Sequence, residues 1–408
     1  MGERVRTIGA SEMPAWVAAM DVGFLNNERP SAAFAEQYGE HVDYDRTWAA
    51  FDRDRVVGTL RSFATPFTVP GPGEVTAAAL TNVTVAPTHH RRGYLTEMIT
   101  ADLAAAAERG EPLGILIASE YPIYGRFGYG PAVEGARYAV DAESARFTQP
   151  AEGTVELVDR VTLRKEAPPL YERFRTGQPG SIGRDDYVWD RRLHTVEVPE
   201  DDPPKGWQAL YRAPGGGAEG YVSYSAASNW EGMRPRGKLD VHELLALSPR
   251  GYHALWRYLC EVDLIAKIEA HDRPVDELLP WLLHDGRMVR QSARYDFVWV
   301  RVLDVVAALS ARRYRGRGRV VIEVADPLGF AGGRYVLEAE ADEAACARTD
   351  EAAGLALPVD LLGSVYMGAV SLHTLAATGR VEERTAGALA EAEQLFRAGP
   401  APWCSTWF

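Results

Sequence analysis

The alternation of apolar and polar residues over positions 81–85 predicts a half-buried strand, ended by Pro87. A basic turn, His89-His90-Arg91-Arg92-Gly93, comes next. From Tyr94 to Arg109, Leu95, Met98, Ile99 and Leu103 recur at helical spacing. Gly110 stands where a helix C-terminus takes a left-handed residue, and residues 113–118 read as a second apolar strand. The unit is strand, turn, helix, strand. Upstream, residues 11–40 read as helical with Ser11 as N-cap. Residues 56–60 read as a strand entered through the charged turn Asp52-Arg53-Asp54-Arg55. Residues 66–73 are rich enough in Pro and Gly to predict a loop before a strand at 75–80.

Downstream, residues 135–140 read as a strand and 145–153 as a linker. Pro168-Pro169 opens an expected short helix reaching about residue 176, and residues 187–193 are aromatic and charged. Residues 208–212 and 220–225 read as paired strands. Residues 238–259 then repeat the order strand, turn, helix. The turn Ser248-Pro249-Arg250-Gly251 is an imperfect echo of the first one, which predicts an internal repeat with a weaker, single-arginine turn. Residues 295–302 form a dense apolar strand, with a helix expected at 305–310. A hairpin is expected from the strands flanking Pro327-Leu328-Gly329, with helices at 361–375 and 386–397. The chain of 408 residues exceeds what one hydrophobic core serves. The expected architecture is α+β, with mixed α/β-type sheets, in three segments: 1–150, 151–290 and 291–408.

The first turn has chemistry suited to an anion. The first N–H groups of a helix lack intrahelical partners and sit at the positive end of its dipole. Gly93 permits close backbone approach, and Arg91 and Arg92 offer charge-assisted hydrogen bonds. The turn is neither a glycine-lysine P-loop nor a GxGxxG fingerprint. The formal charge of −13 argues against broad nucleic-acid binding and suits a cationic substrate. The basic run at 311–319 is broken by Gly316 and Gly318 and has no aromatic platform for RNA, so it reads as a solvated turn. There is no apolar run long enough to span a membrane and no signal-peptide core at the N-terminus. Cys260, Cys346 and Cys404 have neither disulfide nor metal-ligand spacing, and a reducing cytoplasm is the expected home.

The run VTVAPTHHRRGYL at 83–95 resembles motif A of the GCN5-related N-acetyltransferases (GNAT), in which a V-x-V strand precedes a phosphate-binding turn. Two positions depart from that pattern: His90 stands for the first Gln/Arg and Leu95 for the last Gly/Ala. The run SEYPIYGRFGYGPA at 119–132, in a chain of this length ending in Trp407-Phe408, resembles the enhanced intracellular survival (Eis) family. The resemblance implies a catalytic GNAT domain, a degenerate second one and a sterol-carrier-like C-terminal domain. It implies acetyl-CoA as cosubstrate, held by Val83, Val85, His90, Arg91, Arg92, Gly93, Tyr94, Leu95, Ser119 and Glu120, with no metal. It implies Tyr124 as the acid for the departing thiolate, and the Phe408 carboxylate beside the acceptor. Independently of the resemblance, the aromatic Phe24 and Trp16 within 11–40 are candidates to line a pocket or to pack in the core, and Phe24 is taken as the candidate acceptor contact. It also implies a homo-hexamer. An α-carboxyl of ordinary pKa near ~3.5 is too weak a base for an alkylammonium, so Phe408 is expected to attract and orient a cation. The expected acceptor is an aminoglycoside-like or other polyamine small molecule, with no nucleic-acid or membrane partner. A protein lysine is the near alternative, and a non-catalytic acyl-CoA or lipid sensor the more distant one.

Overall fold

The computed structural model describes residues 4–26, 30–71, 73–199, 205–340 and 343–408. The first sheet has seven strands in the order β1-β2-β3-β4-β5-β16-β6. These are β1 (Val5–Thr7), β2 (Thr47–Asp52), β3 (Arg55–Val69), β4 (Gly73–Val85), β5 (Leu113–Ile117), β6 (Gly130–Pro131) and, from far downstream, β16 (Val298–Val302). On it pack α1 (Met13–Phe24), α2 (Ala32–Glu40) and α3 (Tyr94–Glu108). Residues 11–40 are thus two helices. Ser11 lies in a preceding 3-10 turn, where Glu12 accepts from the Gly9 N–H at 3.0 Å, and Ser31 caps α2. Gly23 brings α1 against β4, where a Cβ would collide with the Thr84 side chain.

The loop expected at 66–73 is mostly strand. β3 continues through Pro66 to Val69, and Phe67 and Val69 are completely buried. Beyond the end of β2, the open edge of β3 is covered by residues 180–183: Gly183 N–H donates to Pro66 O and Thr68 N–H to Ser181 O, each at 3.0 Å. A distant segment therefore supplies the partners that Pro/Gly content argued against.

The second sheet has the order β15-β7-β14-β13-β10-β9-β8. It is built from β7 (Glu134–Asp141), β8 (Thr154–Val158), β9 (Trp207–Arg212), β10 (Ala218–Ala227), β13 (Gly237–Ala246), β14 (Ile265–Arg273) and β15 (Val289–Asp296). A ribbon of β11 (Trp230–Glu231) and β12 (Arg234–Pro235) projects from it. The segments read from the chain do not coincide with the sheets: β7 joins the second sheet, and β16 closes the first. The apolar run at 295–302 breaks at Phe297, where the chain leaves the exposed edge strand β15 and enters the fully buried β16 between β5 and β6. A short helix, α4 (Tyr121–Tyr124), precedes the run of glycines. Past β8 lie α5 (Arg160–Arg175), α6 (Asp186–Leu193) and, after β13, α7 (Pro249–Cys260). The helix expected to open at Pro168-Pro169 instead starts at Arg160, capped by Asp159, with both prolines inside. Burial of Leu163, Ala167, Leu170 and Tyr171 outweighs the two lost backbone bonds.

The third sheet runs β19-β18-β17-β20-β21, from β17 (Gly318–Ala325), β18 (Gly333–Ala339), β19 (Ala344–Arg348), β20 (Leu355–Pro358) and β21 (Glu382–Glu383). The β17–β18 hairpin and the helix Val305–Ala311 follow the sequence pattern. The helix expected at 361–375 is two, Val359–Tyr366 and Leu372–Ala377. Gly368 at φ 80° ends the first, and Ser371 caps the second. Among the described residues no helix is long and apolar enough to cross a membrane.

Candidate active site

β4 and β5 pair in parallel only from Ala77–Leu113 to Leu80–Leu116. Past Leu80, β4 runs on to Val85 against β3 alone, so the two parallel strands part and expose the backbone edge of β4. Where they part, β4 carries a bulge: Asn82 and Val83 face the single residue Leu60, with Asn82 at φ 53°. Thr59 Oγ1 donates to Asn82 O at 2.9 Å and Tyr38 Oη to Asn82 Oδ1 at 2.8 Å, which holds the bulge open. Val83 and Val85 pack partly buried against the core under α3.

The basic turn joins this strand to α3. His90 Nε2 donates to Val85 O at 2.8 Å, and Arg92 to Thr88 O at 3.0 Å. Arg91 at φ 61° and Gly93 at φ 86° are both left-handed, folding the turn over the start of the helix. Tyr94 is buried and Leu95 half-buried, while His90, Arg91, Arg92 and Gly93 face solvent. No side chain caps α3, whereas α2, α5, α6 and α7 are each capped by a Ser or Asp side chain. The first N–H groups of α3, beside two exposed arginines, are therefore available to a diphosphate. The parted strands next to them offer backbone groups to an extended amide chain. Both observations fit a coenzyme A thioester.

Tyr124 ends α4, just after β5. It is buried, and its ring meets Tyr129 edge-on at 6.3 Å. Burial raises its phenol pKa above 10, a hydrogen bond from Ser119 partly offsets this, and Glu120 adds to the rise. The phenol holds its proton at neutral pH. Ser119 and Glu120 are exposed at the lip.

The C-terminus lies on the other side of the bulge. A cavity of about 760 Å³ is walled by Tyr38, Arg61, Phe63, Tyr187 and Phe408, and floored by Thr81 and Asn82. Phe408 meets Phe63 edge-on at 6.0 Å. The tail is docked over its length: Gln178 donates to Ala401 O at 2.9 Å, Trp403 N–H to Pro179 O at 2.7 Å, and Trp407 Nε1 to Asp272 at 3.0 Å. Arg184 donates to Thr406 Oγ1 at 2.8 Å and to Ser405 O at 3.2 Å. Arg184 is itself fixed by a buried ion pair to Glu243 at 2.7 Å, and Glu243 accepts from Tyr221 Oη at 2.8 Å. Burial alone would raise the Glu243 pKa, but Arg184 and Arg192 outweigh it and hold the carboxyl at about 2.

The structure thus gathers the predicted turn residues and β4 into one region and seats Phe408 against Phe63 of β3, in a cavity that Thr81 and Asn82 of β4 also line. Tyr124 is not among the residues lining the Phe408 cavity, and neither is Phe24, which is 47% exposed at the end of α1. Tyr38, Arg61, Phe63 and Tyr187 were not singled out from sequence. The one signal for them is Arg61, a charge set within the apolar run of β3 and sharing a face with Phe63.

The second copy of the motif is closed to the same ligand. Ser248 caps α7, accepting from Gly251 N–H at 3.2 Å and donating to Glu219 at 2.7 Å. Pro249 removes another donor. The groups that α3 leaves free are used internally here, with a carboxylate beside them. Asp240, Glu269 and His271 could together hold a metal, but Lys238 Nζ already lies 3.0 and 3.1 Å from the two carboxylates.

Family models described as acetyltransferase (GNAT) domain match residues 4–132 and 180–302, and one described as sterol carrier protein domain matches 305–405. An uncharacterized N-acetyltransferase from Streptomyces avermitilis is 41% identical, over 99% of this chain and 98% of its own. N-acetyltransferase Eis from Mycobacterium tuberculosis is 36% identical, over 84% of this chain and 83% of its own. The crystal structure of Eis1 from Mycobacterium abscessus superposes with a TM-score of 0.88 at 33% identity, covering 100% of both chains. With two GNAT domains, a sterol-carrier domain and relatives this close along nearly its whole length, the chain is an acyltransferase and belongs to the Eis family of GNAT N-acetyltransferases.

Proposed function

We propose that the protein transfers an acetyl group from acetyl-CoA directly to the amine of a small molecule held in the cavity closed by Phe408. The observation that carries this reading is the docked C-terminus, which puts an acceptor cavity against β4 where β4 leaves β5. Acetyl-CoA supplies an activated acetyl thioester. The turn residues His90, Arg91, Arg92 and Gly93, with Tyr94 and Leu95, hold its phosphates, while Val83 and Val85 line its path and Ser119 and Glu120 border it. The acceptor nitrogen forms the new C–N bond as the C–S bond breaks, and Tyr124 gives its proton to the departing sulfur. A phenol near ~10 and a thiol near ~8.5 differ by roughly 2 kcal/mol, which an enzyme barrier accommodates. The Phe408 carboxylate attracts and orients the ammonium, and the proton the amine sheds leaves through water.

The family resemblance supports an aminoglycoside-like or other polyamine acceptor, drawn to that carboxylate, whereas the arginines of the cavity weigh against a purely polycationic one. A homo-hexamer in the cytoplasm is part of the same reading. Exposed apolar side chains such as Met233, at 92%, and Trp281, at 84%, are surface that an assembly would cover.

The test is release of coenzyme A thiol from acetyl-CoA across polyamines, aminoglycosides and lysine peptides. Wild type, Tyr124→Phe and a chain extended beyond Phe408 run side by side. Amine-dependent release that both variants lose, with coenzyme A binding kept, supports the proposal. Saturable acetyl-CoA binding without release for any amine identifies a non-catalytic sensor. Turnover of peptides alone identifies a protein-lysine acetyltransferase.

A further inference from the structure

Most charged side chains around the Phe408 cavity have a partner within the protein. Arg46 pairs with Glu111 and with Asp43 at 3.5 Å, and Arg192 with Glu243 at 3.2 Å. Asp43 accepts from the Asp45 N–H at 3.0 Å and Asp185 from the Val188 N–H at 2.8 Å, so both carboxylates hold helix starts, and Asp185 keeps its negative charge at the cavity wall. Arg191 hydrogen-bonds Tyr187.

Two charges remain. Arg61 forms no ion pair among the described residues. Its guanidinium lies between the rings of Tyr38, at 5.6 Å, and Phe63, at 5.3 Å, and its buried Nε has no acceptor. The terminal carboxylate of Phe408 likewise has no ion-pair partner among the described residues. The Phe63 ring touches both, 6.0 Å from the Phe408 ring, yet the two opposite charges do not pair with each other.

Native interiors rarely leave a guanidinium N–H unused, because a buried donor without an acceptor is costly. A ligand carboxylate at the cavity-facing end of the guanidinium supplies the counter-charge that Arg61 lacks. A second ammonium placed at Arg61 would face an uncompensated like charge in a site of low dielectric.

Resting on the acetyltransferase reading above, we propose that the acceptor is an amine that also carries a carboxylate, with an apolar or aromatic body. Its ammonium lies against the Phe408 carboxylate and its own carboxylate takes the planar fork of Arg61. The body lies among Tyr38, Phe63 and Tyr187. Acceptance thus depends on opposite charges at the two ends of the substrate, and a polycation satisfies only one of them.

Two acceptors of matched shape test this: para-(aminomethyl)benzoate and para-xylylenediamine, with an aminoglycoside alongside. Wild type should favour the benzoate in kcat/KM by at least about tenfold. Arg61→Gln should raise KM for the benzoate by a similar factor, lower it for the diamine, and be partly rescued for the benzoate by Arg61→Lys. Calorimetric titration of both compounds into the full chain without acetyl-CoA should show the same preference and its loss in Arg61→Gln. Equal or better use of the diamine or the aminoglycoside by wild type overturns the proposal, as does a preference that Arg61→Gln leaves intact. Were no amine turned over, the acetyltransferase reading would fail, while the calorimetric preference would still decide which charges the cavity accepts.

Discussion

Replacing Glu243 by Gln keeps the side chain's size and removes the counter-charge on which the C-terminal tail depends. Arg184, with no exposed side-chain surface, and Arg192 would then both face a neutral amide. Breaking one side of a buried pair costs about 3–5 kcal/mol, because a desolvated charge is left behind. The native carboxyl gives a consistent figure: a fall from 4.5 to about 2 corresponds to about 3 kcal/mol at neutral pH. Because the folded pKa is depressed, this contribution is present above 4.5 and is lost as the pH falls towards about 2. By pH 3 about 2 kcal/mol of it is gone.

The assay is urea unfolding followed by tryptophan fluorescence, with Trp189 lying 4.9 Å from the Arg184 guanidinium. Digestion of the last residues by carboxypeptidase reads the tail separately. At pH 7, Glu243→Gln should be less stable by about 3 kcal/mol and its tail should be cleaved faster. The stability difference from wild type should shrink by about 2 kcal/mol at pH 3, a change that a simple packing defect does not produce. A variant within about 1 kcal/mol of wild type at pH 7, with an equally protected tail, would refute the account of how Phe408 is held.

Tyr124→Phe is expected to lower turnover by about 100-fold or more with coenzyme A affinity unchanged, measured by thiol release and calorimetry. A weakened affinity would make Tyr124 a binding residue. Coenzyme A should titrate to one site per chain, since Ser248 and Glu219 close the second turn; two equivalent sites would contradict that closure. Arg61→Gln should abolish the preference between the matched acceptors as set out above. Gly130→Ala places a Cβ against the Asp360 carbonyl and the Ser364 side chain, forcing the helix Val359–Tyr366 off β6. It should cost roughly 1–3 kcal/mol, read as a lower melting temperature; a wild-type melt would mean that contact is loose.

The unit from β4 through α3 to β5 was legible because a strand, a helix and a turn each leave a local period or a breaker within a dozen residues. The echo at β13 and α7 was legible for the same reason, and resemblance added Tyr124 and Phe408 where periodicity is silent. The misread stretches share one cause. Pro66 to Val69 is strand because residues 180–183 cover its edge, α5 runs through two prolines because its apolar face is buried, and the chain breaks at Phe297 because β15 and β16 serve different sheets.

The acceptor cavity lay beyond sequence reasoning for a related reason. Tyr38, Arg61, Tyr187 and Phe408 come from four separate elements, and that Arg61 forms no ion pair among the described residues is visible only once the cavity is assembled. By itself the sequence determined the periodic elements, the anion-ready turn and an apolar terminus. Tertiary structure alone decided where that terminus docks, which arginine stays unpaired and which strands share a sheet. Periodicity reports how each residue meets solvent along its own element, whereas these outcomes depend on contacts between residues hundreds of positions apart.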